Sequence, residues 1–275
     1  MTIADTQFEI AAPTPRERRR SLADLLAPLE RIAAHSPNLV ASHEARFESG
    51  GESYELPRYL FVGPKGGDTP IRVGIFGAIH GDEPEGAHAI VRFIKLLETK
   101  PELAAGYCLS FYPVCNPTGL EDGTRHSRSG RDLNREFWKE SDEAEVGLLE
   151  RELITQSFQG IISLHTDNAS TGFYGVVRGA TLTKHLIEPA LRAAEKLLSR
   201  DERPIIDGFE ARNGVIHNAY EGMLSAPPKA RPRPFEIILE TPKAPPAYVK
   251  EYALVAALQA TLAEYRKFIA YAPNL

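Results

Sequence analysis

The spacing of apolar residues changes period repeatedly along the chain, and each change marks an element. Residues 1–15 hold no sustained pattern, whereas Arg16 to Ala34 has helical spacing. Residues 40–48 and 53–62 alternate with period two around Gly50–Gly51, which predicts a hairpin. Apolar runs at 71–77, 107–114, 160–165 and 235–240 predict strands, and amphipathic patterns at 84–99, 142–158 and 181–199 predict the helices between them. A last helix opens after Pro245–Pro246, with Val249, Tyr252, Leu258, Leu262, Tyr265 and Ile269 roughly on one face. Strands alternating with helices imply an α/β fold: a mixed, mainly parallel twisted sheet with helices on both faces. A chain of 275 residues sits near the upper limit for one core. One domain over 1–275 is therefore expected, with 1–39 as an N-terminal extension and helix. The connections 115–141 and 207–234 are long, and such loops usually carry function.

Composition narrows the class without choosing a chemistry. Hydrophobic residues make up 43% and charged ones 25%, ordinary for a globular protein. A net charge of −5 argues against nucleic acid or an anionic membrane as a bulk partner. Cys108 and Cys115 flank one apolar strand, too far apart along it to pair, and read as buried small hydrophobes. The N-terminus shows no apolar stretch of signal-peptide length, and no run of about 18 apolar residues could span a membrane. A cytoplasmic location is the expectation.

The chemistry lies at strand ends. In IRVGIFGAIHGDEPEG (71–86), His80 and Glu83 follow a strand-like run, Gly81 permits a tight turn and Pro84 suits the start of a helix. His165 closes the strand in GIISLHTD (160–167), and Glu240 closes the one in FEIILETP (235–242). Between them runs NPTGLEDGTRHSRSGRDLNREF (116–137), dense in anion-binding groups. Side chains at the carboxyl ends of strands can converge on a ligand. Catalytic Zn²⁺ takes three protein ligands and leaves a position for water, which needs a carboxylate base and a cation for the oxyanion.

Plainer readings stand beside these. H-x-x-E recurs as His185–Glu188 within an amphipathic pattern (181–200), where it reads as solvated helix surface. His165 alone could be a satisfied core residue, and Glu240 a solvated strand-end carboxylate. Glu236 competes with Glu240 from the same strand face. Arg128 and Arg131 read best as solvent-facing. Asp132, Thr166 and Asp167 could orient a metal ligand from behind.

From about residue 40 to 270 the chain resembles the zinc metallocarboxypeptidase family. The motifs that carry the resemblance are His80-x-x-Glu83, the strand-ending His165, the late Glu240 and a run R-x-N-x-x-G-x-D-L-N-R. Arg125, Gly130, Asp132, Leu133, Asn134 and Arg135 match that run, while Ser127 stands where members commonly carry Asn. The resemblance implies one Zn²⁺ per chain held by His80, Glu83 and His165, with Glu240 as general base. It also implies that Arg125 stabilises the oxyanion and that Asn134 and Arg135 bind a substrate carboxylate. Tyr220, with Tyr174 as the alternative, would cap the substrate.

The expected reaction is hydrolysis of a peptide's C-terminal amide bond, with murein peptides as one candidate substrate. A related alternative is a zinc acyl-amino-acid deacylase of the aspartoacylase or succinylglutamate desuccinylase type, which shares H-x-x-E and D-L-N-R. Members of that branch begin close to the metal motif and carry a β domain after the catalytic Glu; here His80 comes late and 35 residues follow Glu240. A non-catalytic binding protein on the same fold is a third reading, against which stands the retention of every ligand and the base. Side-chain specificity is expected from 207–234, where Glu221, Lys229, Arg231 and Arg233 are candidate lining residues.

Overall fold

The structure is a computed structural model and describes residues 19–43, 45–64, 69–180, 183–217 and 219–271. In chain order its elements are α1 (Leu22–Ala33), β1 (Leu39–Ser42), β2 (Arg46–Ser49), β3 (Glu52–Glu55), β4 (Arg58–Val62), β5 (Ile71–Gly77), α2 (Glu85–Thr99) and β6 (Tyr107–Tyr112). There follow α3 (Pro117–Asp122), α4 (Ala144–Gln156), β7 (Gly160–Asp167), β8 (Tyr174–Gly179), α5 (Thr183–Ala194), β9 (Ile205–Ile206), β10 (Phe209–Arg212), β11 (Val215–His217), β12 (Phe235–Pro242) and α6 (Ala247–Tyr271). The expectations for 1–15, and for the helical start at Arg16, lie outside the described residues. The described helix opens at Leu22, where the Ser21 hydroxyl accepts from the Asp24 amide at 3.1 Å.

The centre of the main sheet is β6–β5–β7–β12, all parallel. Their near-continuous apolar runs fit strands covered on both faces. Val73, Ile75, Ile162, Leu164, Ile237 and Leu239 face one way, onto α2, α5 and α6. Phe76 and Ile161 face the other, onto Leu149 and Leu153 of α4. The flanks are antiparallel: β4 and β1 beside β6, and β8 beside β12, followed by β11, β10 and β9. Within that second flank only β11 runs parallel to its neighbour β8. The mixed sheet expected from sequence, with helices on both faces, is therefore present.

Its details differ. The 40–62 region resolves into four strands: β2 and β3 form a separate hairpin at Gly50–Gly51, while β1 and β4 join the main sheet. Arg46, Glu48, Glu52 and Glu55 give that hairpin charged positions that a covered sheet would not accept. The helix expected over 181–199 ends at Ala194. Four strands, β8 to β11, occupy stretches that carry no strand in the sequence reading, and they extend the sheet beside β12.

Candidate functional site

β5 ends at Gly77, and Ala78 takes a left-handed conformation (φ 48°) that turns the chain out of the sheet toward His80. Gly81 then passes so close to α3 that a Cβ there would lie 1.9 Å from the Gly119 carbonyl carbon, so only glycine fits. This turn brings His80 and Glu83 against His165 at the end of β7. Donor atoms of the three residues all lie within 4.8 Å of one another, and all three residues are buried.

Nδ1 of His80 is 2.8 Å from Oε1 of Glu83, and Nδ1 of His165 is 3.0 Å from Oε2. The far ring nitrogens are engaged elsewhere, His80 Nε2 with Asp132 Oδ1 at 3.2 Å and His165 Nε2 with Ser163 Oγ at 2.9 Å. The Thr166 amide donates to Glu83 Oε2 at 3.0 Å. Two imidazoles thus present Nδ1 beside one carboxylate, each ring fixed from behind, as metal-binding histidines are.

Charge agrees with that arrangement. Burial would raise the Glu83 carboxyl, but His80 and His165 outweigh it and hold the group well below the usual carboxylate range. Burial pushes His165 down, toward the neutral form that binds metal, against the pull of Glu83. His80 is raised, because Glu83 and Asp132 outweigh its burial. A buried, convergent set of two imidazoles and one carboxylate fits a metal ion, and its donor types suit Zn²⁺.

A cavity of ≈ 410 Å³ opens beside these donors. Glu240 lines it, paired in register with His165 on one side and Tyr174 on the other. Burial, then the charges of Glu83, Asp167 and Asp207, raise the Glu240 carboxyl well above its ordinary range. Glu236 is buried beside Ser163, Arg178 and Leu224 and does not line the cavity. Arg125 reaches the donor cluster: its Nη1 lies 3.3 Å from Glu83 Oε1, and its Nε and Nη2 lie 3.1 and 3.0 Å from Asp132 Oδ2.

Asn134 and Arg135 also line the cavity. The Asn134 side-chain oxygen accepts from the Leu224 amide at 2.8 Å, which ties this part of the lining to the 223–224 segment. Arg135 stacks its guanidinium 3.9 Å over the Tyr220 ring and donates to the Asn134 carbonyl at 2.8 Å. Among the described residues it makes no ion pair. Tyr220 donates its hydroxyl to the Asp207 carbonyl at 3.2 Å, so it backs the arginine. Tyr174 lines the cavity beside Glu240 and donates to Asp167 Oδ2 at 3.1 Å.

Several sequence expectations need correcting. Arg128 is not solvent-facing: it bonds Glu121, Asp122, Glu52 and Tyr54, and so locks α3 to the β2–β3 hairpin. Arg131 is exposed, with its side chain beside Glu136 and Asp142. Lys229, Arg231 and Arg233 do not line the cavity; they border a separate cleft of ≈ 710 Å³ at the amino ends of β5, β7 and β12, with Arg72, Phe158 and Phe235. Glu221 is exposed outside the cavity. Asp167 and Thr166 divide the work, Thr166 holding Glu83 while Asp167 engages Tyr174.

His185 sits on the exposed face of α5 beside Phe268, and Glu188 pairs with Arg200. Both cysteines are free, Cys115 buried and Cys108 half-buried. Among the described residues no helix is long and apolar enough to cross a membrane. The apolar wall of the cavity comes from Val176, Phe209, Ile216, Met223 and Ile238, mostly on the unexpected strands. The dipeptides Asp207–Gly208 and Asn213–Gly214, with positive φ at all four residues, are the turn signals that locate them.

A family model for the succinylglutamate desuccinylase/aspartoacylase catalytic domain matches residues 70–199. That stretch runs from β5 through His80, Glu83, Asn134–Arg135 and His165 and stops before Glu240. No curated protein matches the chain in sequence. Among solved structures, a provisionally named metallopeptidase from Shewanella denitrificans OS217 superposes with a TM-score of 0.73 at 21% identity, over 93% of this chain and 98% of its own. A metallo-carboxypeptidase from Burkholderia cenocepacia gives a TM-score of 0.68 at 16% identity, covering 91% of this chain and 70% of its own. One from Pseudomonas aeruginosa, in complex with (2-guanidinoethylmercapto)succinic acid, gives 0.66 at 16%, covering 90% and 70%. At such identities the likeness is one of fold. By fold the chain is metallo-carboxypeptidase-like, and over residues 70–199 it matches the succinylglutamate desuccinylase/aspartoacylase catalytic domain.

Proposed function

We propose that the protein is a zinc-dependent hydrolase that removes a C-terminal residue from a peptide, with His80, Glu83 and His165 as metal ligands. The observation that carries this reading is Arg135, a guanidinium with no carboxylate partner among the described residues, lining the same cavity as His80 and Glu83 of a buried His–Glu–His cluster. An unpaired planar fork of donors is a ready site for a carboxylate. When bound, zinc supplies a Lewis acid for the scissile carbonyl and acidifies water at the site.

The chain's own groups do the rest. Glu240, kept proton-hungry by burial and neighbouring carboxylates, takes the proton of the attacking water and returns it to the leaving amine. A cation held by the donors beside it would pull its pKa back down, toward the working pH. Arg125, already aimed at the donor cluster, stabilises the oxyanion. Arg135, with the Asn134 amide, holds the substrate carboxylate, and the Tyr220 ring keeps that guanidinium in place.

A deacylase acting on small N-acyl amino acids is the second reading, favoured by the family match over 70–199. Cavity charge weighs against it. Asp167 and Asp207 line the cavity without ion pairs among the described residues, against the one guanidinium, Arg135, that is likewise unpaired among them. N-acetylaspartate and N-succinylglutamate each bring more than one carboxylate to that cavity, whereas a peptide without acidic side chains brings one from its C-terminus; the acidic groups of a murein stem peptide place it between the two.

The test is a substrate panel with zinc-loaded protein: tri- and tetrapeptides, murein stem peptides among them, against the two N-acyl amino acids. Release of single C-terminal residues, with slow turnover of the small acids, is expected. Fast release of acetate or succinate with peptides left intact would overturn the reading in favour of the deacylase.

A further inference from the structure

From Thr166, which lines the cavity, a buried chain of polar groups runs to α6. Lys250 of α6 donates through Nζ to Glu85 Oε1 at 2.5 Å and to the Lys243 carbonyl at 3.3 Å. Glu85 Oε2 accepts from the Thr166 hydroxyl at 3.2 Å, and Thr166 Oγ1 lies 3.0 Å from Thr241 Oγ1. Thr241 also reaches the His165 carbonyl at 3.2 Å. All four side chains are buried, none in a residue more than 6% exposed.

Proton counting gives the chain a direction. A carboxylate facing an ammonium only accepts, so the single Thr166 proton goes to Glu85. Thr241 must then donate, sharing its proton between Thr166 and the His165 carbonyl. Three of the four members neighbour a proposed working residue: Glu85 follows Glu83 by two positions, Thr166 follows His165, and Thr241 follows Glu240. The Thr166 amide itself donates to Glu83. Buried ion pairs are poor sources of net stability compared with apolar packing, so mere docking of α6 gives no reason for a charged pair here.

We propose that the Lys250–Glu85 pair is a positioning device that holds Thr166 and Thr241, and through them sets Glu83, His165 and Glu240 for metal binding and catalysis. Neither residue touches the cavity. The inference rests on the metal reading given above.

Its test is zinc affinity by chelator competition, measured with chemical denaturation on the same full-length proteins. Thr166→Val keeps shape but removes the hydroxyl, and should weaken zinc binding about 10–100-fold, the usual effect of losing a group that orients a ligand. Thr166→Ser, which keeps the hydroxyl, should restore affinity and kcat. Lys250→Met should lower both stability and zinc affinity, because it leaves Glu85 buried and unpaired. The double variant Lys250→Met/Glu85→Gln should recover stability but not zinc affinity or kcat.

If Thr166→Val binds zinc like wild type, or the double variant recovers affinity along with stability, the pair is only a clamp for α6 and the proposal fails. If wild type binds no zinc, the metal reading falls and takes this inference with it.

Discussion

Glu240 and Glu236 share a strand face, yet their settings predict opposite consequences of the same substitution. Glu240 borders the cavity beside the donor cluster, so Glu240→Gln should lower kcat by on the order of 10²–10⁴ while zinc binding and fold persist. Glu236→Gln should change kcat only a few-fold, and steady-state kinetics of the two variants checks the ranking. Glu236 has a stability role instead. Burial raises its pKa, with Arg178 and Arg233 offsetting part of the effect. Its contribution is therefore fully present below the unfolded carboxyl pKa and is lost as pH rises through the higher folded value. The melting temperature of Glu236→Gln should match wild type near about pH 4 and exceed it at about pH 7.5; an unchanged difference across that range would mean that Glu236 titrates as an exposed group. At this scale the candidates His80, Glu83, His165, Glu240, Arg125 and Arg135, which the structure brings together, could be picked out because each closes a strand or sits in a motif of fixed spacing. Lys250 and Glu85 could not, because 165 positions separate them and neither falls in a local pattern.

The turn between β5 and α2 shows how an element's geometry sets the site. Gly81 lies against the backbone of α3, so a methyl group there must push the two apart. Gly81→Ala should cost about 1–3 kcal/mol of stability, the range for overpacking, and weaken zinc binding by displacing His80 and Glu83. Denaturant unfolding with a zinc titration reads both; a stable variant with full affinity would mean that the turn yields without moving its ligands. Central strands announced themselves through long apolar runs, and the helices between them through amphipathic spacing. The flank did not: β9 to β11 are two to four residues long and mix polar with apolar positions, too little for a period. Their turns, Asp207–Gly208 and Asn213–Gly214, carried the only strong local signal. Arg128 misled for a related reason, since its partners on β3 and α3 become neighbours only after the hairpin folds onto the helix.

At the scale of the whole molecule, the proposed metal site joins the turn between β5 and α2 to β7, so occupancy should stabilise the fold globally. Zinc at about 100 times its Kd adds roughly 2.7 kcal/mol, which for a chain of this size is a rise of about 5–10 °C in Tm. Thermal melts with zinc and with chelator should show that rise in wild type, and His80→Ala or His165→Ala should lose most of it; an equal rise in both variants would place the metal elsewhere. The central claim is that this site acts on a substrate whose carboxylate sits on Arg135. The direct measurement is kcat/KM for wild type and Arg135→Met on one peptide and on its C-terminally amidated form. Wild type should lose about 30-fold to several-thousand-fold on the amide, the equivalent of about 2–5 kcal/mol for a charge pair left without its partner. Arg135→Met should be slow on both and discriminate little between them. Equal wild-type rates on acid and amide, or full discrimination retained in Arg135→Met, would contradict the account.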